Sequence, residues 1–337
     1  MTRALPALVF FLFVLAAPAA AGTVASAKAA AAVMGTVLQV EVVAATSEGA
    51  DRLAQACIAI ARHWDDVLTT WRPEGELERL NLKAGSGPVA ISPDLAWALA
   101  TMEDLARATG AAFDPALGPA VDLWRQHQAP TAAELHTIER AALRGALRLQ
   151  TALTLEDATG VNGTHPTAAL LPGARLDAGG IGKGLALDKI VDFLKSKGVG
   201  GAFADFGGSS HIALGRTRAG KAWRVALGGI QPGQLLGAVE LHDAALSTSK
   251  ALGPAAEVGP IIDPFNLSPV PPPRLATAMA PRAAVAEAWS TALVITGRKG
   301  LAVARAVGVE AIIYDRDGIA PSANFRLLEI NQHRGDH

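Results

Sequence analysis

The chain has 337 residues, of which 50% are hydrophobic and 18% are charged, a composition typical of a globular protein with a large core. Its 30 basic and 31 acidic residues give a formal net charge of −1, which excludes a protein drawn to nucleic acid or to an anionic membrane by overall charge. The single cysteine, Cys57, excludes an internal disulfide and any metal site built from several thiolates.

The first 21 residues have the pattern of a secretory signal peptide. Arg3 precedes an unbroken apolar run at 8–17, and the small residues of 18–21 suit a signal peptidase. Ten apolar residues are too few for a bilayer span, which needs about 20, although an uncleaved membrane anchor remains the alternative. Cys57 lies too far beyond the run to carry a lipid anchor and Arg3 has no arginine beside it, so we expect Sec-type export to the periplasm without a lipid anchor.

After a linker over 22–33, the chain begins an alternation of strands and helices. Residues 36–42 are rich in β-branched side chains and predict a strand. Apolar spacing predicts helices over 48–68 and 92–109, and Thr131 with Glu134 has the spacing of a capping box for a helix that ends near Gly145.

The second half is predicted to hold short strands, a stiff connector and an apolar helix. The predicted strands lie at 147–155, 175–177, 202–206, 223–227, 236–241 and 311–314. Proline-rich 269–273 predicts an extended connector, and 284–296 predicts a helix. Because the order lacks strict strand–helix–strand alternation, we expect an α+β fold, with helices packed on a mostly antiparallel sheet, in a single domain over 34–330.

A glycine cluster at 176–184 is placed between a predicted strand and a helix that starts near Lys183. Glycines let backbone N–H groups approach a ligand, and a helix N-terminus favours negative charge, so phosphate is the expected guest. The spacing matches neither a P-loop nor a dinucleotide fingerprint. A tight turn between strand and helix explains the glycines equally well, but it leaves Lys183 unexplained.

The apolar helix near the C-terminus carries three oxygen-bearing side chains on one face. Glu287, Ser290 and Thr291 stand at i, i+3 and i+4, a spacing that suits a hard cation such as Mg²⁺. The alternative is a solvated glutamate beside hydroxyls that bond back to their own helix. A further segment, 110–124, contains two prolines and two glycines that predict a loop of specified shape, in which Asp114 could cap or contact a ligand.

Taken in chain order, these segments resemble the ApbE family, the FAD:protein FMN transferases. The resemblance extends over nearly all of the chain after the leader and is carried by residues 34–36, 70–72, 76–81, 110–124, 176–188, 203–208, 247–249, 263–264 and 287–291.

The resemblance implies a T-fold-like domain that cleaves the pyrophosphate of FAD, attaches FMN to a Thr or Ser of a target protein and releases AMP. It implies that FAD is held by Met34, Trp71, Ala112, Phe113, Asp114, Asp177, Lys183 and Ile262. It implies that Mg²⁺ is held by the carbonyl of Gly180 with Glu287, Ser290 and Thr291. The acceptor expected from the family is a subunit of a membrane redox complex.

The chain departs from the family pattern at positions that bear on chemistry. Pro260 stands where the family has a histidine that assists transfer, so the catalytic residue is unknown. Lys250 replaces the glycine expected after Ser247-Thr248-Ser249, and Glu287 is one methylene longer than the expected aspartate. Two other functions therefore stay open: FAD binding without catalysis, and hydrolysis of FAD to FMN and AMP.

Overall fold

The computed structural model describes residues 24–127, 130–156, 165–231, 233–251 and 261–329. The strands of this part of the chain are β1 (Ala25–Val33), β2 (Thr36–Ala44), β3 (Val89–Ala90), β4 (Leu153–Glu156), β5 (Thr167–Leu170), β6 (Gly201–Phe206), β7 (Ser210–Gly215), β8 (Trp223–Gly228), β9 (Leu235–Leu241), β10 (Ala244–Ala251), β11 (Ile262–Asp263), β12 (Ser268–Pro269), β13 (Arg274–Ala280), β14 (Glu310–Asp315) and β15 (Gly318–Pro321).

The helices of the same ranges are α1 (Ser47–Leu68), α2 (Glu76–Asn81), α3 (Pro93–Ala108), α4 (Gly118–Gln126), α5 (Ala132–Leu143), α6 (Leu149–Ala152), α7 (Gly182–Ser196), α8 (Ala283–Thr296) and α9 (Gly300–Ala306), with a 3-10 turn at Gly297–Lys299. None of them is long and apolar enough to cross a membrane.

An antiparallel sheet of eight strands, in the order β1-β2-β6-β7-β10-β13-β14-β15, organises the molecule. Helices α1, α7 and α8 pack together on one face of it. Side chains of alternate strand residues, such as Ala204, Ile212 and Ala278, join that larger core. The predicted α+β class with a mostly antiparallel sheet is thus confirmed.

The opposite face of the sheet is covered by the hairpin β8–β9, which closes a smaller core. Trp223 and Leu241 of the hairpin are buried against Ala213, Leu246 and Ile312 of the sheet. Because both faces of the central strands are buried, successive residues of one strand contribute to different cores. Strand β10 therefore sends Ser247 and Ser249 towards the helices, and Leu246, Thr248 and Lys250 towards the hairpin.

Helices α7 and α8 cross at very close range. A Cβ at Gly184 would lie 2.7 Å from the carbonyl oxygen of Ala283 and 2.7 Å from the Cα of Ala284, so only glycine fits there. The carboxylate of Asp188 accepts hydrogen bonds from the backbone N–H groups of Ala283 (2.7 Å) and Ala284 (3.2 Å). A residue of α7 thereby caps the N-terminus of α8 and sets the spacing of the two helices.

Most of the predicted long elements are confirmed. The strand at 36–42 is β2, and the helices expected at 48–68, 92–109 and 284–296 are α1, α3 and α8. The capping box of Thr131 and Glu134 starts α5, with hydrogen bonds in both directions.

Several local assignments need correction. Residues 25–33, taken as a linker, form the edge strand β1, because an alanine-rich segment has weak strand propensity of its own and is held by pairing with β2. The loop expected over 110–124 becomes helix α4 from Gly118, with proline at its start. In place of a strand at 175–177, the structure has only an isolated bridge between Leu117 and Arg175.

The predicted signal peptide, residues 1–21, lies outside the described residues, as does Pro260. Cys57 is buried in α1, where desolvation raises its pKa to about 12, so its thiol stays protonated.

Candidate functional site

A cavity of about 520 Å³ opens where β10 extends past Ser210, the first residue of β7. Its walls come from the turn between β6 and β7, the start of α7, one side of α8, the end of the hairpin β8–β9 and the segment before α4. A second cavity of about 410 Å³, the second hollow, is lined by Met34, Trp71 and Arg72. Asp177, Gly179 and Lys183 line both cavities (the two hollows), so the glycine cluster lies between them.

The glycine cluster forms a compact turn into α7. The Asp177 carboxylate accepts a hydrogen bond from the backbone N–H of Gly179 (2.6 Å), and the Asp177 N–H donates to the Pro115 carbonyl (2.8 Å). Helix α7 then begins at Gly182. The positive end of a 15-residue helix dipole consequently faces the boundary of the two hollows, where it favours an anionic group.

Three donors converge on the carboxylate of Glu287, whose residue is only 3% exposed. The Lys183 ammonium lies 3.1 Å from Oε1, and the backbone N–H of Gly184 donates to Oε2 at 2.8 Å. The Ser210 hydroxyl also donates to Oε1. These contacts compensate the burial of a charge and join α7, α8 and β7 at one point.

A chain of hydroxyl groups continues from Glu287 along α8. The Ser290 hydroxyl donates to the Glu287 carbonyl (2.9 Å) and lies 2.8 Å from the Ser249 hydroxyl, which is 3.2 Å from that of Thr291. Gly180 approaches from the other side, since a Cβ there would lie 3.7 Å from the Thr291 hydroxyl.

The structure therefore brings the four predicted metal ligands together, but only three of them line the cavity. Gly180, Glu287 and Thr291 line the cavity, whereas Ser290 is fully buried behind it. All the donors are oxygens, which fits Mg²⁺. In the described part of the chain, no cluster of three or more His, Cys, Asp or Glu residues could hold a metal ion. A cation at this site would rely on one carboxylate, neutral oxygens and water.

Asp114 lies in the wall beside Phe113, but its carboxylate is turned to the backbone. It accepts hydrogen bonds from the N–H groups of Ala116 (3.0 Å) and Leu149 (3.0 Å). Burial raises its pKa to about 6, against the opposing effects of these hydrogen bonds and of the Arg148 guanidinium. Asp114 thus shapes the 110–117 segment, and Ala112 and Phe113 form its apolar surface.

Trp71 offers an exposed aromatic ring at the second hollow. The side chain is 74% exposed, and the Arg125 guanidinium lies 4.6 Å from the ring centroid. Arg125 also lies 3.7 Å from the Asp177 carboxylate. Met34 adopts a positive φ of 50° and lies close to Gly182. The arrangement can stack a planar ring system near the glycine turn.

Ile262, the last of the predicted FAD-binding residues, is buried in β11. It lines the first cavity together with Ile261. Strand β11 pairs with β12, with Ile262 opposite Pro269. The structure therefore places every predicted FAD residue at one hollow or the other.

Sequence reasoning missed three side chains of the site, Ser210, Arg125 and His211, and named Lys250 only as a departure from the family pattern. His211 is buried, its pKa is lowered by desolvation although Asp205 acts to raise it, and its Nδ1 has no hydrogen-bond partner in the residues described. No local pattern marks Ser210 or His211, because strand pairing alone brings them here. Lys250 did carry a signal, since it interrupts the family pattern.

The chain is similar in sequence to the members of one protein family. The model of the ApbE family matches residues 34–313. An FAD:protein FMN transferase of Klebsiella pneumoniae (strain 342) is 25% identical over 312 residues, which cover 90% of this chain and 87% of that protein. One from Rhodobacter capsulatus is 30% identical over 296 residues, covering 83% of this chain and 54% of that protein.

Solved structures share the fold. The flavin transferase ApbE from Vibrio cholerae superposes with a TM-score of 0.74 at 24% identity, covering 90% of this chain and 98% of the other. The ApbE protein from Thermotoga maritima gives a TM-score of 0.76 at 20% identity, covering 91% of this chain and all of the other.

Proposed function

Since this chain belongs to the ApbE family, we propose that it transfers FMN from FAD to a Thr or Ser hydroxyl of a target protein and releases AMP. The observation that carries the proposal is the pair of hollows joined at the glycine turn. A dinucleotide has two ring systems linked by a pyrophosphate, and this layout offers two ring sites around one anion site.

The reaction balances without a redox step. The acceptor oxygen forms a bond to the phosphorus of the FMN half, the bond from that phosphorus to the AMP oxygen breaks, and the hydroxyl proton is released. Catalysis of such a transfer needs positioning and neutralisation of charge more than covalent chemistry. The start of α7 and the Lys183 ammonium supply positive potential to the phosphoryl oxygens.

We propose Mg²⁺ as the cofactor, held by Gly180, Glu287 and Thr291 with Ser290 supporting them from behind. It would supply further positive charge to the pyrophosphate. Because Lys183 and Gly184 already engage the Glu287 carboxylate, this residue also orients the start of α7 towards the substrate.

The test is to incubate the protein with FAD, Mg²⁺ and a Thr-containing acceptor peptide, and to follow AMP release and peptide mass. We expect AMP together with a peptide that has gained FMN. The Glu287→Gln variant should lose activity, whereas the exposed Glu74→Gln variant should keep it. No gain of FMN at saturating FAD would exclude the transferase.

The same assay distinguishes the functions that stay open because Pro260 replaces the family histidine. AMP release without peptide labelling would show FAD hydrolysis, and FAD binding without AMP would show a binding protein. Restoring the family residues with Pro260→His and Glu287→Asp should raise the rate of an impaired transferase and leave a binding protein inactive.

We further propose that residues 1–21 direct export, and that the acceptor is a subunit of a membrane redox complex. Arg3 and the apolar run at 8–17 support the first part. N-terminal sequencing of the protein from a periplasmic fraction should begin near Gly22. Recovery of the uncleaved chain in the cytoplasm would contradict export.

A further inference from the structure

Lys250 places a positive charge in the first cavity from the side of the hairpin. It is the seventh residue of β10, on the face shared by Leu246 and Thr248. Its partly buried side chain lines the cavity, and its Nζ donates to the Gly229 carbonyl at 2.9 Å. An ammonium has three donors, so this contact uses one of them.

Two other cations of the cavity wall each lie beside a carboxylate. Lys183 lies 3.1 Å from Glu287, and Arg125 lies 3.7 Å from Asp177. Within the described ranges, Lys250 has no carboxylate within 4.0 Å, and its one recorded hydrogen bond is to a neutral carbonyl. Among the described residues that line the cavity, no carboxylate offsets its charge, so it can donate to an anion that enters the cavity.

Lys250 and Lys183 reach the cavity from opposite sides of β10. Lys183 belongs to the layer of helices, together with Glu287, Ser247 and Ser249. Lys250 belongs to the side covered by the hairpin. An anionic group bound beside Ser210, at the start of β7, would meet a cation on either side, which a neutral residue at position 250 could not provide.

We propose that Lys250 is a binding residue for a phosphate group of the dinucleotide, and that it acts by donating a charge-assisted hydrogen bond. This inference rests on the proposed function for the identity of the dinucleotide, but the site itself is defined by its charge.

The experiment compares Lys250→Met and Lys250→Arg with a matched surface control, Lys221→Met, because Lys221 is exposed. Dissociation constants are measured by titration calorimetry for FAD, for ADP and for riboflavin, which has no phosphate. We expect Lys250→Met to weaken FAD and ADP about tenfold, as for loss of a hydrogen bond to a charged group. Riboflavin affinity should not change, and Lys250→Arg should stay within about threefold of the wild type because its charge is kept.

The dependence of ADP affinity on ionic strength is a second measurement of the same contact. Affinity of the wild type for ADP should fall more steeply with ionic strength than that of Lys250→Met, because one charge contact is lost. Circular dichroism of each variant confirms folding, and Lys250→Arg retains a test of the charge even where the methionine variant is unstable.

The outcomes separate this inference from the proposed function. Equal ADP and FAD affinities for Lys250→Met and Lys221→Met would overturn the role of Lys250, even where the wild type labels the acceptor peptide. Lys250-dependent ADP binding by a protein that labels no peptide would support the role of Lys250 and contradict the transferase. A wild type that binds neither FAD nor ADP would overturn both.

Discussion

At the scale of single residues, the site depends on how buried charges are compensated. Glu287 is 3% exposed and keeps its place by accepting from Lys183, Gly184 and Ser210. Asp114 is compensated by two backbone N–H groups, with Arg148 at 4.0 Å. We therefore expect loss of a partner to act through Glu287, and a change of pH to act through Asp114.

Removing the Lys183 ammonium should leave Glu287 with two of its three donors. We expect Lys183→Met to lower the free energy of unfolding by roughly 1–3 kcal/mol, the usual cost of taking a partner from a buried polar group. Urea denaturation at pH 7 measures the change, with Lys221→Met as the surface control. Equal stability of the two variants would show that Gly184 and Ser210 suffice for Glu287.

Asp114 predicts a pH dependence of stability with a definite sign. Its folded-state pKa of about 6 lies above the ordinary value of 3.8, so between these values the folded protein binds more protons than the unfolded one. Its contribution to the free energy of unfolding therefore falls as pH rises from about 4 to 6, by about 3 kcal/mol at most.

The Asp114→Asn variant isolates this effect, because Asp188, whose pKa burial also raises to about 6, titrates in both proteins. Urea unfolding between pH 4 and 7 should show a shallower fall of stability with pH in Asp114→Asn than in the wild type. The exposed Asp51→Asn variant is the control. Identical slopes for the wild type and Asp114→Asn would contradict the raised pKa.

At the scale of elements, the crossing of α7 and α8 positions both halves of the site. Gly184 permits the close approach, and Asp188 caps α8 from α7. The approach brings Lys183, one residue before Gly184, within reach of Glu287. Helix spacing is therefore coupled to the ion pair in the cavity wall.

A methyl group at the crossing should force the helices apart. We expect Gly184→Ala to lower the free energy of unfolding by about 1–3 kcal/mol, as for overpacking of a tight core, and to weaken FAD binding. Gly200→Ala is the matched control, since a Cβ there has nothing within 4 Å. Thermal unfolding and FAD titration of both variants check the result, and a stable Gly184→Ala with normal affinity would contradict the tight crossing.

At the scale of the whole molecule, the sheet separates two cores of unequal size. The larger core lies under α1, α7 and α8, and the smaller one lies under the hairpin β8–β9. The C-terminal segment supports the hairpin through backbone hydrogen bonds between Ala238 and Leu328 in both directions. The first cavity has walls from both layers, so its shape depends on both cores.

Removal of a side chain from the smaller core should destabilise the hairpin β8–β9 before the rest of the molecule. Leu241→Ala removes a fully buried side chain, and we expect a local loss of about 2–5 kcal/mol. Hydrogen exchange followed by mass spectrometry should then show faster exchange in β8 and β9 while α1 and α7 keep their protection. Leu185→Ala, in the larger core, should instead speed exchange throughout. Uniform acceleration in Leu241→Ala would show that the two cores unfold as one unit.

The sequence by itself determined the elements whose signals are local. Apolar spacing and caps identified α1, α3, α5 and α8, because helical contacts join residues three or four apart. The ordered motifs likewise identified the family, and the glycine turn, Glu287 and Thr291 that they singled out line the first cavity.

Only the tertiary structure decided which distant residues meet. The pairing of β10 with β7 and β13, the second core, and the place of Ser210 beside Glu287 depend on contacts between segments far apart in sequence. The alanine-rich β1 is a strand because β2 offers hydrogen-bond partners along its length. For Lys250, the sequence alone showed that a lysine interrupts the family pattern. Strand alternation and the hairpin that covers β10 decided that its charge faces the cavity. Burial and strand pairing are properties of the folded chain, so no local pattern could show this.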